Sequence, residues 1–314
     1  MTITLPSANE SSRRLTARHA DHPLRGIALI VASTAFLACS DTMAKYLGRT
    51  LPPIEIGWIR FLVFLLIMLP VMLTSASPLR SARPKLQVLR ALALVASSVL
   101  FITGLQFLPI AEASATSFVA PLFVTALSIV LLGEAIGIRR WAATAVGLLG
   151  VLIVIRPGSA AFNAAAIFPI LSALTWAFTL ILTRMISGAD RVVVTMTFSA
   201  LVGFVALSAM VPFVWVTPSW HDILIGVLVG LASTMGQWIV VLAYRYADAS
   251  VLAPFTYSQL VWVTFLGFGV FGEIPDLWTF VGAAVIMASG IYTAHRERLR
   301  RKQPPVPAEP SPNP

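Results

Sequence analysis

Long apolar runs separated by short polar gaps fill most of this chain of 314 residues. A helix that crosses the hydrocarbon core of a bilayer needs about 20 mostly apolar residues. The gaps contain Pro, Gly and Arg residues, which end helices or stay outside the hydrocarbon. The sequence therefore predicts an all-α integral membrane protein with ten transmembrane helices. The predicted spans lie near residues 25–46, 54–73, 87–108, 112–132, 140–155, 164–183, 192–212, 222–244, 250–271 and 277–294.

The composition agrees with burial in lipid. Hydrophobic residues make up 58% of the chain and charged residues only 11%, whereas a soluble domain carries roughly 25% charged residues. The single cysteine, Cys39, excludes a disulfide within the chain, and the spacings of His and Cys that bind zinc do not occur. We expect no cofactor and no metal.

Lys and Arg residues are distributed unevenly between the two sides of the membrane that these spans define. If the N-terminus is cytoplasmic, 18 of the 22 basic residues lie on the inner side. Only Arg49 and Arg156 then lie outside, and Lys45 and Arg60 lie within spans. Positive residues favour the cytoplasmic side, so we expect both tails, 1–24 and 296–314, to be cytoplasmic in a bacterial inner membrane. Basic residues spread over loops in this way do not form the clustered face of a nucleic-acid binder.

A short motif recurs in the two halves of the chain and indicates an internal repeat. Gly133-Glu134 is followed 139 residues later by Gly272-Glu273, and Lys45 aligns with Arg184 at the same separation. Each half then holds five spans, and because five is odd the second half enters the membrane in the opposite orientation. Inverted repeats place a substrate site between the halves near the midplane. We expect Lys45, Glu134, Arg184 and Glu273 to be structural, because these positions repeat with the fold.

Longer motifs accompany this repeat. The first half contains Ala-Pro-Leu-Phe-Val-Thr over 120–125 and Leu-Leu-Gly-Glu over 131–134, and the second contains Leu-Ala-Pro-Phe-Thr-Tyr-Ser-Gln over 252–259. This pattern resembles the EamA repeat of the drug/metabolite transporter superfamily. The resemblance implies two inverted five-helix repeats, 25–156 and 164–295, with helices 1, 3, 4, 6, 8 and 9 around a central cavity. It also implies a small organic solute, since similar proteins include amino-acid exporters and importers of S-adenosylmethionine or riboflavin.

Besides Arg25 and Glu55 near their starts, the first two predicted spans contain three charged residues. Charges inside a span are expensive, by at least ~2.5 kcal/mol at the bilayer centre. Asp41 and Lys45 share a helix face at i, i+4, so Lys45 either neutralises Asp41 or leaves it as a cavity carboxylate for a cation or a proton. Arg60 either extends to the headgroups, pairs with Asp41, or holds a carboxylate or phosphate of the solute.

Neutral polar and aromatic residues mark the later spans. Gln237 and Gln259 are the preferred neutral contacts, because an unpaired amide in lipid costs several kcal/mol. Trp176 and Tyr257 are further candidates, although an aromatic side chain in a span more often packs or lies at the interface.

Two prolines lie inside spans four and nine, at Pro121 and Pro254. Proline removes a helix hydrogen bond, and the freed carbonyls at membrane depth must face protein or a wet cavity. Equivalent breaks in both halves point to a binding site, and packing kinks are the alternative.

The function that these features predict is gradient-driven transport of a small solute by alternating access. No catalytic motif of the His-Glu-x-x-His or Gly-x-Ser-x-Gly type occurs, and no phosphate-binding loop of the Walker type is present. Solute and proton gradients are the candidate energy sources, and a monomer or a homodimer in membrane lipid is expected. A non-catalytic channel or an assembly scaffold is the alternative, since a sequence does not show alternation.

Overall fold

The computed structural model describes residues 23–74, 80–133, 138–157, 163–186, 189–243, 246, 252 and 255–302, and within them the chain contains no β-strand. Two three-residue 3₁₀ turns, Ala164–Ala166 and Val211–Phe213, adjoin α7 and α8. The helices are α1 (Pro23–Leu47), α2 (Pro53–Thr74), α3 (Pro84–Phe107), α4 (Ile110–Ser117), α5 (Ala120–Leu132), α6 (Ile138–Ile155), α7 (Ile167–Ile186), α8 (Val192–Met210), α9 (Trp220–Ala243), α10 (Ser258–Phe271) and α11 (Leu277–Lys302).

Seven helical segments are long and apolar enough to cross a bilayer: α1, α2, α3, α4 with α5, α7, α8 and α9. Three shorter apolar helices lie at Ala145–Ile155, Ser258–Phe271 and Leu277–Tyr292. The all-helical, multi-pass architecture predicted from the sequence is therefore confirmed. The full count of ten spans stays a prediction, because these three helices fall short of the length that a span needs.

The segment predicted as a single span over 112–132 consists of two helices. It is interrupted at Phe118 and Val119, and Pro121 lies in the first turn of α5. A proline is tolerated there because the N–H groups of the first turn have no helical partner. Pro254 lies outside the described residues.

Equivalent glycines end α5 and α10. Gly133 and Gly272 have φ values of 66° and 69°, the left-handed conformation that glycine adopts without strain. This shared ending explains why a Gly-Glu pair follows both helices. Glu134 lies outside the described residues, and Glu273 is described below.

Contacts at one end of the bundle fix the directions of the helices. Gln106, in the last turn of α3, donates to the carbonyl of Gly48, just after α1 (2.9 Å). Asn163, before α7, donates to the carbonyl of Phe107 (3.0 Å). Helices α1 and α3 thus finish where α7 starts. We call this the Lys45 end, and the opposite one, where Asp190 precedes α8, the Asp190 end.

Further contacts show which of the remaining helices begin and which end at the Lys45 end. Glu55, in the first turn of α2, accepts from the N–H of Val216, which follows α8 (3.1 Å). Arg156 at the end of α6 forms an ion pair with Asp276 before α11. Thr50, after α1, donates to Asp222 in the first turn of α9 (3.0 Å). Each helix of the first half therefore runs opposite to its counterpart in the second half, as an inverted repeat requires.

Pairs of equivalent contacts show the internal symmetry directly. Ser172 of α7 donates to the carbonyl of Ser97 in α3 (2.8 Å). Ser40 of α1 donates to the carbonyl of Val229 in α9 (3.1 Å). The pair α7–α3 is thus the counterpart of the pair α1–α9. Helix α1 ends at Leu47 and α7 ends at Ile186, 139 residues later, so the alignment of Lys45 with Arg184 agrees with the helix ends.

Glycines let α2 approach α8 and α9 closely. A Cβ atom placed on Gly226 would lie 2.8 Å from Ile59, and one on Gly230 would lie 2.5 Å from Val63. The small-xxx-small pattern at 226 and 230 therefore brings the backbones of α2 and α9 together, as such patterns do in membranes.

The outer surface of the bundle is apolar. Large side chains such as Leu66, Val130 and Phe265 are 55%, 78% and 72% exposed, which suits contact with lipid rather than water. At the Lys45 end three tryptophans are exposed, and tryptophan is enriched at membrane–water interfaces. They are Trp215, Trp220 and Trp278.

Candidate functional site

Two hydrogen bonds join α1 of the first half to α10 of the second. Gln259 Nε2 donates to Asp41 Oδ2 over 3.1 Å. The hydroxyl of Thr34, two turns before Asp41 on α1, lies 2.7 Å from the hydroxyl of Ser258 on α10. The structure thus brings together Asp41 and Gln259, which the sequence singled out separately in the two repeats.

Arg60 of α2 lies near this pair. Its charge interacts electrostatically with Asp41, but within the described residues the two side chains form no ion pair within 4.0 Å. The Nη1 atom of Arg60 is 3.5 Å from the hydroxyl of Ser98 in α3. Opposite charges therefore lie within electrostatic range of one another, and among the described residues their direct partners are neutral side chains. We call Asp41, Arg60, Ser98 and Gln259 the polar centre.

The polar centre has unused binding capacity. A carboxylate offers about four lone-pair sites and a guanidinium five N–H donors, and the contacts above use one or two on each residue. The centre can hold a cationic or protonated group at Asp41 and an anionic group at Arg60. Its members come from four helices, so any motion between the repeats changes its geometry.

Lys45 does not neutralise Asp41, so that interpretation of the i, i+4 pair is wrong. Lys45 Nζ lies 2.5 Å from Glu273 Oε1 and donates to the carbonyl of Leu108 over 2.7 Å. The other oxygen of Glu273 accepts from the N–H of Ile110 over 2.9 Å. One carboxylate therefore ties α1, the α3–α4 junction and α10 together, and we call this cluster the Lys45–Glu273 latch.

Aromatic contacts reinforce the latch. The Lys45 ammonium and the Arg49 guanidinium each lie 5.2 Å from the ring centroid of Phe271, within the range of cation–π attraction. Like the ion pair of Lys45 with Glu273, these contacts join the first half to the second at the Lys45 end.

The other candidates lie apart from the polar centre. Tyr257 is buried, with its ring centroid 4.9 Å from that of Phe118, and a Cβ placed on Gly290 would meet its hydroxyl at 1.8 Å. Tyr257 therefore packs between the α4–α5 break and α11. In the described part of the chain, no hydrogen bond or ring contact joins Trp176 or Gln237 to the polar centre.

Sequence reasoning missed several buried hydroxyls. Ser114 and Thr116 of α4 and Thr234 of α9 are buried with no hydrogen-bond partner among the described residues. The two α4 hydroxyls flank Ala115, which belongs to the same core cluster as Ala38, one turn before Asp41. Single Ser and Thr residues in spans usually hydrogen-bond to a carbonyl of their own helix. Residue type alone therefore does not predict which hydroxyls lack a partner.

Asp190 organises the opposite end of the bundle. Its carboxylate accepts from the hydroxyl of Ser81, the N–H of Ala82 (2.7 Å) and the amide of Gln87 (2.8 Å). Burial raises the pKa of this carboxyl, but the hydrogen bonds and the charge of Arg83 outweigh burial and hold the pKa below its usual value. The loop before α3 is thereby tied to the loop before α8. Arg184 is exposed at this end.

The fold and the site define a class. An inverted repeat of apolar helices, joined through a charged centre with unused hydrogen-bonding capacity, is the architecture of a membrane transporter for small solutes. The model of the EamA-like transporter family matches residues 24–156 and 163–294, which is most of the chain. This protein therefore belongs to the EamA-like transporter family.

Named relatives include transporters of two solutes. The chain is 28% identical over 277 residues to an S-adenosylmethionine uptake transporter of Rickettsia prowazekii, covering 88% of this chain and 94% of that protein. It is 27% identical over 290 residues to a riboflavin transporter of Vibrio cholerae, covering 90% and 97%. A riboflavin transporter of Rhizobium johnstonii is 31% identical over 209 residues, covering 65% and 68%.

A solved structure has the same fold. A crystal structure covers 87% of this chain and 98% of its own with a TM-score of 0.60 at 19% identity. At that identity the likeness shows the fold alone.

Proposed function

We propose that this protein moves a small organic solute bearing both a cationic and an anionic group, by alternating access, across a bacterial inner membrane. The observation that carries this proposal is the polar centre, in which Asp41 and Arg60 face each other without a direct ion pair. Asp41 attracts the cationic group of the solute, Arg60 its carboxylate, and Gln259 orients Asp41.

The names of the relatives narrow the candidates. S-adenosylmethionine carries a sulfonium, an ammonium and a carboxylate, and these charges complement Asp41 and Arg60. An amino-acid-like solute fits for the same reason. A riboflavin-like solute has no such charges and would depend on the aromatic side chains instead, so the charge arrangement favours the zwitterionic candidates.

Alternating access requires one end to be closed while the other opens. The Lys45–Glu273 latch ties helices of both repeats at the Lys45 end, so we infer that this conformation is closed there. With ten spans and cytoplasmic termini, the Lys45 end is the outer one and the solute reaches Asp41 from the cytoplasmic side. A rocking motion of repeats 25–156 and 164–295 about the polar centre would open the outer end and close the cytoplasmic end.

The experiment is solute counterflow in proteoliposomes. Vesicles preloaded with unlabelled S-adenosylmethionine should take up labelled S-adenosylmethionine faster than empty vesicles, and an imposed proton gradient should change the rate if Asp41 also carries a proton. Neutral riboflavin should compete poorly. Flux that never saturates, without counterflow, would instead support the channel, and no flux of any solute would support the scaffold. A covalent change in the solute would reopen the enzyme class.

A further inference from the structure

Arg90 of α3 is a partly buried cation with only neutral partners. Its Nε donates to the hydroxyl of Thr183 in α7 and its Nη1 to the hydroxyl of Ser199 in α8, each over 2.6 Å. No carboxylate among the described residues interacts with it electrostatically. Asp190, an acid at this end within the described residues, is already hydrogen-bonded by Ser81, Ala82 and Gln87.

An uncompensated cation between membrane helices is unfavourable, so its presence indicates a ligand of opposite charge. A guanidinium has five N–H donors in a planar fork that matches a phosphate group. Two of the three nitrogens of Arg90 are engaged by hydroxyls, which leaves N–H donors for one phosphate. Since α3 packs against both α7 and α8, Arg90 lies where these three helices meet.

The surroundings of Arg90 suit a phospholipid. Exposed basic residues at the same end of the bundle attract an anionic headgroup, and exposed apolar residues on α3, α7 and α8 can contact acyl chains. The exposed basic residues are Arg80, Arg83, Lys85, Arg184 and Arg191. The exposed apolar residues are Val88, Leu89, Leu92, Leu180 and Leu201.

The Arg90 cation has no counterpart at the equivalent position of the other repeat, so the site is specific to one leaflet. Helix α3 ends at Phe107 and α9 ends at Ala243, 136 residues later, which places Gly226 where α3 has Arg90. The equivalent position at the Lys45 end therefore carries no charge that could bind an anion.

We propose that Arg90, between α3, α7 and α8, binds the phosphodiester of an anionic phospholipid in the leaflet at the Asp190 end. The site is separate from the polar centre, which draws on α1, α2 and α10 in addition to α3. Bound there, the lipid supplies a negative charge that no described residue places beside Arg90, and it bridges α7 to α8.

Native mass spectrometry of the full chain in detergent tests this without knowledge of the transported solute. The protein is titrated with dioleoyl phosphatidylglycerol or with dioleoyl phosphatidylcholine, which differ only in headgroup. We expect the wild type to bind the first lipid at least tenfold more tightly. Arg90→Gln should remove most of this preference, whereas Arg25→Gln, which removes the same charge from an exposed position on α1 at the same end, should change it less than twofold.

A second variant keeps the test valid if Arg90→Gln does not fold. Arg90→Lys retains the charge but loses the planar fork, and we expect it to lower phosphatidylglycerol affinity severalfold while leaving phosphatidylcholine affinity unchanged. Equal losses in the Arg90 and Arg25 variants would overturn the proposal in favour of non-specific attraction. Displacement of the lipid by millimolar inorganic phosphate would overturn it in favour of a soluble anion. Unchanged affinity in both Arg90 variants would overturn it outright.

Discussion

At the scale of single residues, Asp41 differs from four other acids in what it contacts. Glu273, Asp190, Asp222 and Asp276 are each held by several hydrogen bonds or by an ion pair that joins structural elements. Among the described residues, Asp41 has one hydrogen bond, to Gln259, and a countercharge in Arg60 with which it forms no ion pair. A carboxylate so placed keeps its capacity to bind a ligand.

Asp41→Asn tests that capacity, because it keeps the shape of the side chain and removes its charge. A hydrogen bond to a charged group contributes about 1.5–3 kcal/mol, so we expect solute affinity to fall roughly 10- to 100-fold. Expression and thermal stability should be retained. Uptake by proteoliposomes and thermal unfolding of the same preparations measure the two effects.

Glu273→Gln is the matched control for this prediction. It removes the countercharge of Lys45 from the latch, so thermal stability should fall while the polar centre keeps its solute contacts. Normal uptake by the Asp41 variant at every pH would show that the Asp41 charge has no part in transport.

At the scale of helices, close packing depends on glycines that accept a bulky side chain from a neighbouring helix. The ring of Phe61 in α2 fits against Gly203 of α8, and a Cβ there would lie 2.3 Å from the ring. A Cβ placed on Gly269 in α10 would have no neighbour within 4 Å. Both glycines lie within helices, and they differ in the space around the Cβ position, so they form a matched pair.

Gly203→Ala should therefore destabilise the protein, and Gly269→Ala should not. Overpacking of this kind costs about 1–3 kcal/mol, whereas alanine is favoured over glycine within a helix by about 1 kcal/mol. Thermal unfolding in detergent should show a lower transition temperature for the first variant and an equal or higher one for the second. A stable Gly203→Ala protein would mean that α2 and α8 can separate without loss.

Asp190 makes the tie between the α3 and α8 loops dependent on pH. Because its pKa is lower in the folded protein than in the unfolded chain, ionised Asp190 stabilises the fold above the unfolded value of about 3.9. That stabilisation is lost as the pH falls through the folded value. Asp190→Asn should lower thermal stability at pH 7, and the difference from the wild type should shrink below about pH 4. A difference that is constant with pH would show that shape, and not charge, matters there.

At the scale of the whole molecule, the two ends of an internally symmetric bundle carry different charges. The Lys45 end has the latch and a set of exposed tryptophans, and the Asp190 end has most of the basic residues of the described loops. The repeat alone would make the two ends alike. The unequal distribution of tryptophans and basic residues reflects the membrane, whose two surfaces are not equivalent.

Reporter fusions test the orientation that this asymmetry predicts. A reporter at Pro218, which lies at the Lys45 end, should read outside, and reporters at Arg140 and at the C-terminus should read inside. An inside signal at Pro218 would contradict the inverted arrangement and the ten-span count together.

The sequence by itself determined the class of protein and the division into repeats. Apolar runs of about 20 residues have few alternatives to membrane helices, and the recurring Gly-Glu pair revealed the two halves because both glycines end helices in the left-handed conformation. It also selected Asp41 and Gln259, since polar groups are costly in spans.

Only the tertiary structure decided which of these residues meet. Lys45 was within reach of Asp41 along the same helix, yet it pairs with Glu273, 228 residues away, because the α10 terminus folds back beside α1. Arg90 is one of many basic residues near a span end in the sequence, whereas packing places it between Thr183 and Ser199. Distances along a helix follow from the sequence, whereas contacts between distant segments follow from how the helices pack around one another.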